Sequence, residues 1–173
     1  MDEHGKNLDD TTEARAHLWD LIKDLKFAMF TTRHPNGHLH ARPMTTQNQK
    51  IDEDDALWFL TRRSGDAAHD LAVEHGVNVS YADPGKDAYV SVSGNAEIVE
   101  DPEKVKQLWN KINQAWFPGG PTDPELALVK VTIIHASYWD VKESQIVQLW
   151  KMAKAAVTGD QPKMGEKADV HMH

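Results

Sequence analysis

Between Thr11 and Leu25, apolar residues recur at helical spacing (Ala14, Leu18, Leu21, Ile22, Leu25). Asp10, with Glu13 three residues on, makes a capping-box start. The pattern predicts one amphipathic helix. From Lys26 the period changes. FAMFTT is rich in strand formers, RHPNG supplies a proline and an Asn-Gly turn, and HLHARPMTT resumes an extended pattern, so the stretch predicts a β-hairpin. The acidic run Asp52–Asp55 leads into a short apolar strand, Ala56 to Thr61 (ALWFLT). Ser64 is placed to cap a short helix, Asp66 to His75, that Gly76 ends. VNVSYA and AYVSVSGNAEIV read as strands joined through Asp83-Pro84-Gly85-Lys86, with Pro and Gly where a type II turn favours them.

Asp101-Pro102 pairs an N-cap with a proline at the first helical position and opens a helix through Gln114. A loop, WFPGGP, follows. LALVKVTII and ASYWDV read as two closing strands, and KMAKAAV as a late helix stopped near Gly159. Six or seven short strands in sequential hairpins, with three or four helices between them, predict a mainly β, α+β architecture: an antiparallel barrel with peripheral helices. Residues 1–10 read as a flexible arm, 11–159 as one domain and 160–173 as a flexible tail; no repeat or linker divides the chain.

Composition narrows the function classes. The 173 residues carry a formal charge of −8, which argues against a general nucleic-acid binder, since that would need a basic face to displace counterions. The absence of cysteine removes disulfides, thiolate nucleophiles and Cys-type metal sites. No apolar run approaches membrane-spanning length and the first residues are polar, so no membrane association and a cytoplasmic location are expected.

His34, His38 and His40 invite a metal reading, because His38 and His40 lie two apart on a strand and so share a face. No HExxH motif and no carboxylate at a recognisable third-ligand spacing accompanies them, and solvated hairpin histidines are the simpler reading. No GxSxG elbow or phosphate loop is present. Trp19, Trp58 and Trp109 fit core roles. Trp116, in AWFPGGP, and Trp139, in SYWD, suit a flat-ligand pocket or a subunit interface. Arg42 lies in a strand beside Pro43, which marks an edge with free backbone groups. Thr61, Arg62, Arg63 and Ser64 cluster hydroxyls and guanidinium groups at a strand end opening a helix, where anions bind well.

The ordered series RPMTT, LWFLT, VSYADP, YVSVSG, AWFPGG and YWD resembles the general stress protein branch of the pyridoxamine 5′-phosphate oxidase-like, FMN-binding split-barrel superfamily. The resemblance implies a six-stranded antiparallel split β-barrel that forms a homodimer with FMN at the interface. It further implies that Arg42, Pro43, Met44 and Thr45 line the flavin, that backbone at Trp58, Phe59 and Leu60 flanks the isoalloxazine, and that Thr61 reaches toward the phosphate. Trp116 and Trp139 would add aromatic surface, one or both from the second subunit. Relatives commonly carry basic residues on the helix after the FLT-type strand; here Asp66 and Ala67 stand there, and Arg62 or Arg63 is the compensating cation. The C-terminal QPKMGEKADVHMH lacks the Arg- and His-bearing substrate segment of true pyridoxamine phosphate oxidases.

The function implied is a flavin-dependent oxidoreductase using NADH or NADPH, with the chemistry carried by FMN and no catalytic acid or base named. The alternatives are a non-enzymatic flavin-sequestering stress protein, a dimer that has lost its cofactor, and a heme-binding barrel with His34, His38 or His40 as axial ligand.

Overall fold

A computed structural model of the chain describes residues 11–25, 27–140, 152–156, 159 and 166–171. Asp10, and with it half of the expected capping box, lies outside the described residues, as does the arm 1–10. The order is α1 (Thr11–Ile22), β1 (Ala28–Arg33), β2 (Leu39–Met44), β3 (Ala56–Arg62), α2 (Asp66–Leu71), β4 (Gly76–Asp83), β5 (Ala88–Val99), α3 (Pro102–Leu108), α4 (Lys111–Trp116), a 3₁₀ turn (Gly120–Thr122), β6 (Leu126–Asp140) and β7 (Glu166–His171). All strand pairs are antiparallel, and the sheet runs β2-β1-β4-β5-β6-β3 with β7 also on β6. This curled six-stranded path is the expected split barrel.

The strands at the two ends of the path meet through the segment that follows β2. Gln47 donates its backbone N–H to the Trp58 carbonyl at 2.8 Å, and Trp58 N–H donates to Asn48 Oδ1 at 2.7 Å. The Asn48 amide in turn donates to the Ala56 carbonyl at 2.9 Å. A side chain thus takes a place that a backbone ladder would otherwise fill, and the barrel closes over two residues only. Gln47, itself buried, accepts from Asn113 Nδ2 at 3.0 Å and ties α4 to this seam.

Alternation along β3 divides two cores. Leu57 and Phe59 enter the barrel with Phe30, Val79, Tyr81, Val90, Val92, Val129 and Val131, while Ala14, Leu18 and Ile22 of α1 plug one side of it. Ala56 and Trp58 face outward under α3 with Val105, Leu108, Phe117, Leu126 and Leu128, and Leu60 packs against them. Lys104 and Lys130 place their ammonium groups 4.8 and 5.5 Å from the Trp58 ring centroid. Tyr81 is buried with its hydroxyl 2.6 Å from Thr46 Oγ1; burial raises its pKa, and the bond from Thr46 offsets part of that rise.

Several local expectations change. The helix opened by Asp101 breaks after Leu108, because Trp109 turns extended and Asn110 caps a second helix by accepting from Ile112 and Asn113 N–H groups. The two closing strands are one continuous β6, since no Gly or Pro interrupts LALVKVTIIHASYWD. Ser64 is not the cap of α2; Gly65 is, without a side-chain bond, while Ser64 Oγ donates to Glu125 at 2.5 Å. The helix is also shorter than expected, ending at Leu71. The 83–87 turn is not type II. Gly85 does not adopt positive φ; Asp87 does, at 49°, after bonds from Lys86 to Asp83 and Asp87 to Pro84. Residues 166–171, expected in a loose tail, form β7 on the part of the β6 edge that β3 leaves uncovered, a pairing made by backbone that side-chain pattern does not announce. Residues 152–156 are helical and Gly159, at φ 76°, closes them with an N–H bond to the Ala155 carbonyl, as expected.

The β5–β6 register shifts between Ser93 and Gly94, bending both long strands. A Cβ at Gly94 would lie 2.4 Å from the Thr132 carbonyl oxygen and 2.9 Å from Val131 Cγ1. Gly94→Ala is therefore expected to cost about 1–3 kcal/mol, seen as a lower urea midpoint, because the obstructing atom is backbone and cannot rotate away.

Candidate functional site

Two neighbouring regions combine the features of a site. The first is the barrel mouth where β1 and β2 meet α2. Along β2, His40, Arg42 and Met44 alternate inward while Leu39, Ala41 and Pro43 face out. Thr32 and Asp70 are both fully buried there. Thr32 Oγ1 donates to Asp70 Oδ2 at 2.6 Å, and Arg42 reaches Thr32 Oγ1 with Nη1 at 2.8 Å and Asp70 Oδ2 with Nη2 at 3.3 Å. His34 Nδ1 lies 2.7 Å from Asp70 Oδ1, and its ring stacks on His40 with centroids 4.8 Å apart. Burial by itself would raise the Asp70 pKa. The hydrogen bonds from Thr32 and His34, with the charges of His34 and Arg42, outweigh it and hold the carboxyl below its ordinary value.

The second region is the outer face of the sheet. Met29, Ser80, Ser91 and Ser137 form one row across β1, β4, β5 and β6, with Pro43 opposite Met29 on β2. The next row holds Ala82, Tyr89 and Trp139. Phe27, Met29, Tyr89 and Trp139 are each more than two-fifths exposed. They border a depression of about 390 Å³ floored by Ser80, Ala82 and Ser91, a size within the range of small-molecule sites (about 300–1,000 Å³). Small floor residues between large aromatic walls leave room for a flat ring.

The candidate residues from the sequence divide between these surroundings. Arg42 is turned inward and held by Asp70 and Thr32. Pro43 and Thr45 are exposed, whereas Met44 is buried. Trp58 and Phe59 are buried on opposite faces of β3, and Leu60 and Thr61 are half-buried. Arg63 is committed to Glu100 (2.8 Å) and to the Leu126 carbonyl (3.1 Å), and Ser64 to Glu125. Arg62 is exposed and has no ion-pair partner among the described residues. Asp66 is exposed, but Ala67 is buried, so position 67 does not stand open to solvent. Trp139 walls the depression; Trp116, at the end of α4, lies outside its lining.

Five residues escaped the sequence reading, Tyr89 of the depression and Thr32 of the buried cluster among them. Asp70 lies on a helix read only for its cap, and its partners stand 28 to 38 residues away, so no spacing reveals it. Phe27 and Met29 looked like ordinary strand residues, and only their exposure marks them.

Comparison with known proteins agrees with this architecture. Residues 13–163 match the family model described as pyridoxamine 5′-phosphate oxidase like. The chain is 30% identical to the protein bli-3 of Neurospora crassa, over 78% of this chain and 68% of that protein. Among solved structures it is similar to a protein assigned as general stress protein 26 from Jannaschia sp. CCS1 (27% identity, TM-score 0.70, 93% of this chain and 99% of that one). It is also similar to the general stress FMN/FAD binding protein of Xanthomonas citri (32% identity, TM-score 0.64, 78% and 93%).

The Asp70 pairing has a pH signature. A carboxyl held below its ordinary pKa stabilises the fold above the unfolded-state value, about 3.9, and loses that contribution as pH falls through the folded value. Asp70→Asn is expected to lower stability by about 1–3 kcal/mol at neutral pH, with the gap to the unsubstituted protein narrowing below about pH 4. Urea midpoints for both proteins across that range measure it.

Proposed function

The chain belongs to the pyridoxamine 5′-phosphate oxidase like family, and from that premise we propose that it is an FMN-binding redox protein working as a homodimer. The observation that carries the reading is the group of exposed side chains on the outer sheet face, Phe27, Met29, Tyr89 and Trp139, that wall the depression over its small floor residues Ser80, Ala82 and Ser91. Contiguous exposed aromatic and aliphatic surface of this kind is costly in water and marks a ligand or partner face. A second copy laid on it buries the aromatic groups and encloses a flat ring between two sheets.

The residues present suit the group. Pro43 and Met44 lie on β2, beyond which no further strand stands among the described residues, with the exposed Thr45 next along the chain; this end of the sheet suits hydrogen bonding to the polar rim of an isoalloxazine. Phe27, Met29, Tyr89 and Trp139 supply the flat apolar walls. Thr61 and Arg62, at the end of β3, meet the phosphate; Arg42 and Arg63 are already held, by Asp70 and by Glu100, and take no part in it. Bound flavin supplies hydride and electron transfer, with NADH or NADPH as the donor. The protein's part is to orient the ring, exclude water from one face and neutralise the phosphate. The general stress FMN/FAD binding protein of Xanthomonas citri supports the cofactor class.

Three measurements test this. Acid release from purified protein is expected to yield FMN, and anaerobic NADH or NADPH is expected to bleach the bound flavin. Recovery of no flavin after reconstitution overturns the proposal. Light scattering is expected to give about twice the 19.5 kDa chain mass, and Met29→Lys, which puts a charge in the apolar wall, is expected to shift the protein to monomer and release flavin together. Arg62→Ala is expected to weaken FMN binding about 10-fold or more while leaving riboflavin affinity unchanged, since a charge-assisted bond contributes about 1.5–3 kcal/mol. Arg63→Ala is expected to leave both affinities unchanged.

A further inference from the structure

The barrel mouth carries a donor set that the flavin reading does not use. His34, His40 and Asp70 each present one ligand atom, and these atoms lie within 4.8 Å of one another. The set arises from three places: the residue just after β1, the inward face of β2 and the last turn of α2. We propose that these three side chains form a binding site for a divalent transition metal ion of the zinc class.

The arrangement meets three requirements of such a site. First, the donors are two imidazole nitrogens and one carboxylate oxygen, a set that suits borderline first-row ions and leaves positions for water or an exchangeable ligand. Second, the carboxylate is held from behind. Asp70 Oδ2 is occupied by Thr32 Oγ1 and Arg42 Nη2, so Oδ1 is the oxygen turned toward His34. Outer partners that fix a ligating carboxylate in this way orient metal ligands generally. Third, the site has an opening. Asp70 is fully buried, whereas His34 and His40 are only half-buried, so an ion enters from the imidazole side.

Small movements complete it. Bonds of about 2.0–2.2 Å to each donor place neighbouring ligand atoms roughly 3–3.4 Å apart. The 2.7 Å contact between His34 Nδ1 and Asp70 Oδ1 must open slightly, and the His40 ring must turn inward. The His34 ring takes the tautomer with its proton on Nε2, leaving the Nδ1 lone pair to the ion. His40 has no hydrogen bond to give up among the described residues, so its rotation sacrifices only the stacking on His34. Arg42 offsets the charge of Asp70 and moderates the affinity, so the site suits an exchangeable ion better than a permanent structural one.

The experiment is calorimetric titration of the full chain with Zn²⁺, with Co²⁺ as a spectroscopic probe. One ion per chain is expected, with Co²⁺ giving the visible bands of nitrogen and oxygen coordination. His40→Ala is the decisive variant, because this ring takes no part in the buried hydrogen bonds and its loss leaves the fold intact. It is expected to lower affinity about 10-fold or more, and His34→Ala likewise. His38→Ala, and a double variant His171→Ala/His173→Ala, are expected to leave the affinity unchanged. Zinc binding that survives His40→Ala, that disappears with the terminal histidines, or that is weaker than about 1 mM in the unsubstituted chain overturns the proposal. Flavin content, measured on the same samples, is independent of the outcome.

Discussion

A sheet that curls until its two ends meet must either zip its end strands together or leave a slit. Here the ends are β2 and β3, and among the described residues the hydrogen bonds that join them run from Gln47 and Asn48 to Ala56 and Trp58. Asn48 spends both ends of its side-chain amide on β3, accepting from the Trp58 N–H and donating to the Ala56 carbonyl. The rest of the architecture follows from this economy. Because the closure is so brief, β2 keeps a free edge, the outer face of β1, β4 and β5 stays open, and α2 rather than another strand covers the barrel mouth. A fully laddered barrel would have no such edge to offer a ligand.

The mouth shows why buried polar groups in this fold come as a set. Thr32 and Asp70 are removed from water, and an isolated carboxylate in such a place would take up a proton. Three neighbours keep it ionised: the hydroxyl, the guanidinium and the imidazole bonded to it, on which a second imidazole stacks. Each holds another in place. Arg42, which looked from its edge strand like a ligand-facing cation, is thereby turned into a strut between β2 and α2.

Much of the fold is legible along the chain because its signals are local. The Asn-Gly hairpin, the alternation in AYVSVSGNAEIV and the Asp101-Pro102 helix start each need only a few neighbouring residues to be read. What escapes depends on distant partners. Ser64 has the chemistry of an N-cap, but Glu125, brought beside it by the β3–β6 pairing, takes its hydroxyl. Pro84-Gly85 suggests a turn in which glycine carries the positive φ, yet Asp87 takes that role. The site divides in the same way. Trp139, which walls the depression, declares itself by type and setting, whereas Asp70 becomes visible only when α2 settles against β1. The glycine in YVSVSG is recognisable as a motif, and its reason, a carbonyl of β6 where a methyl would go, is legible only in three dimensions.

The placement of β6 has a consequence for how the chain comes to be folded. β3 has no sheet partner among the residues that precede it; its partners, Leu126 to Thr132, emerge about 70 residues later. During synthesis the run ALWFL must wait, with both faces apolar and the edge that β6 covers unpaired, until β6 exits the ribosome. The hairpin β1–β2 and the pair β4–β5 can form meanwhile, but the barrel interior stays open on one side. The vulnerable interval in the life of this protein is therefore set by translation speed through residues 62–132.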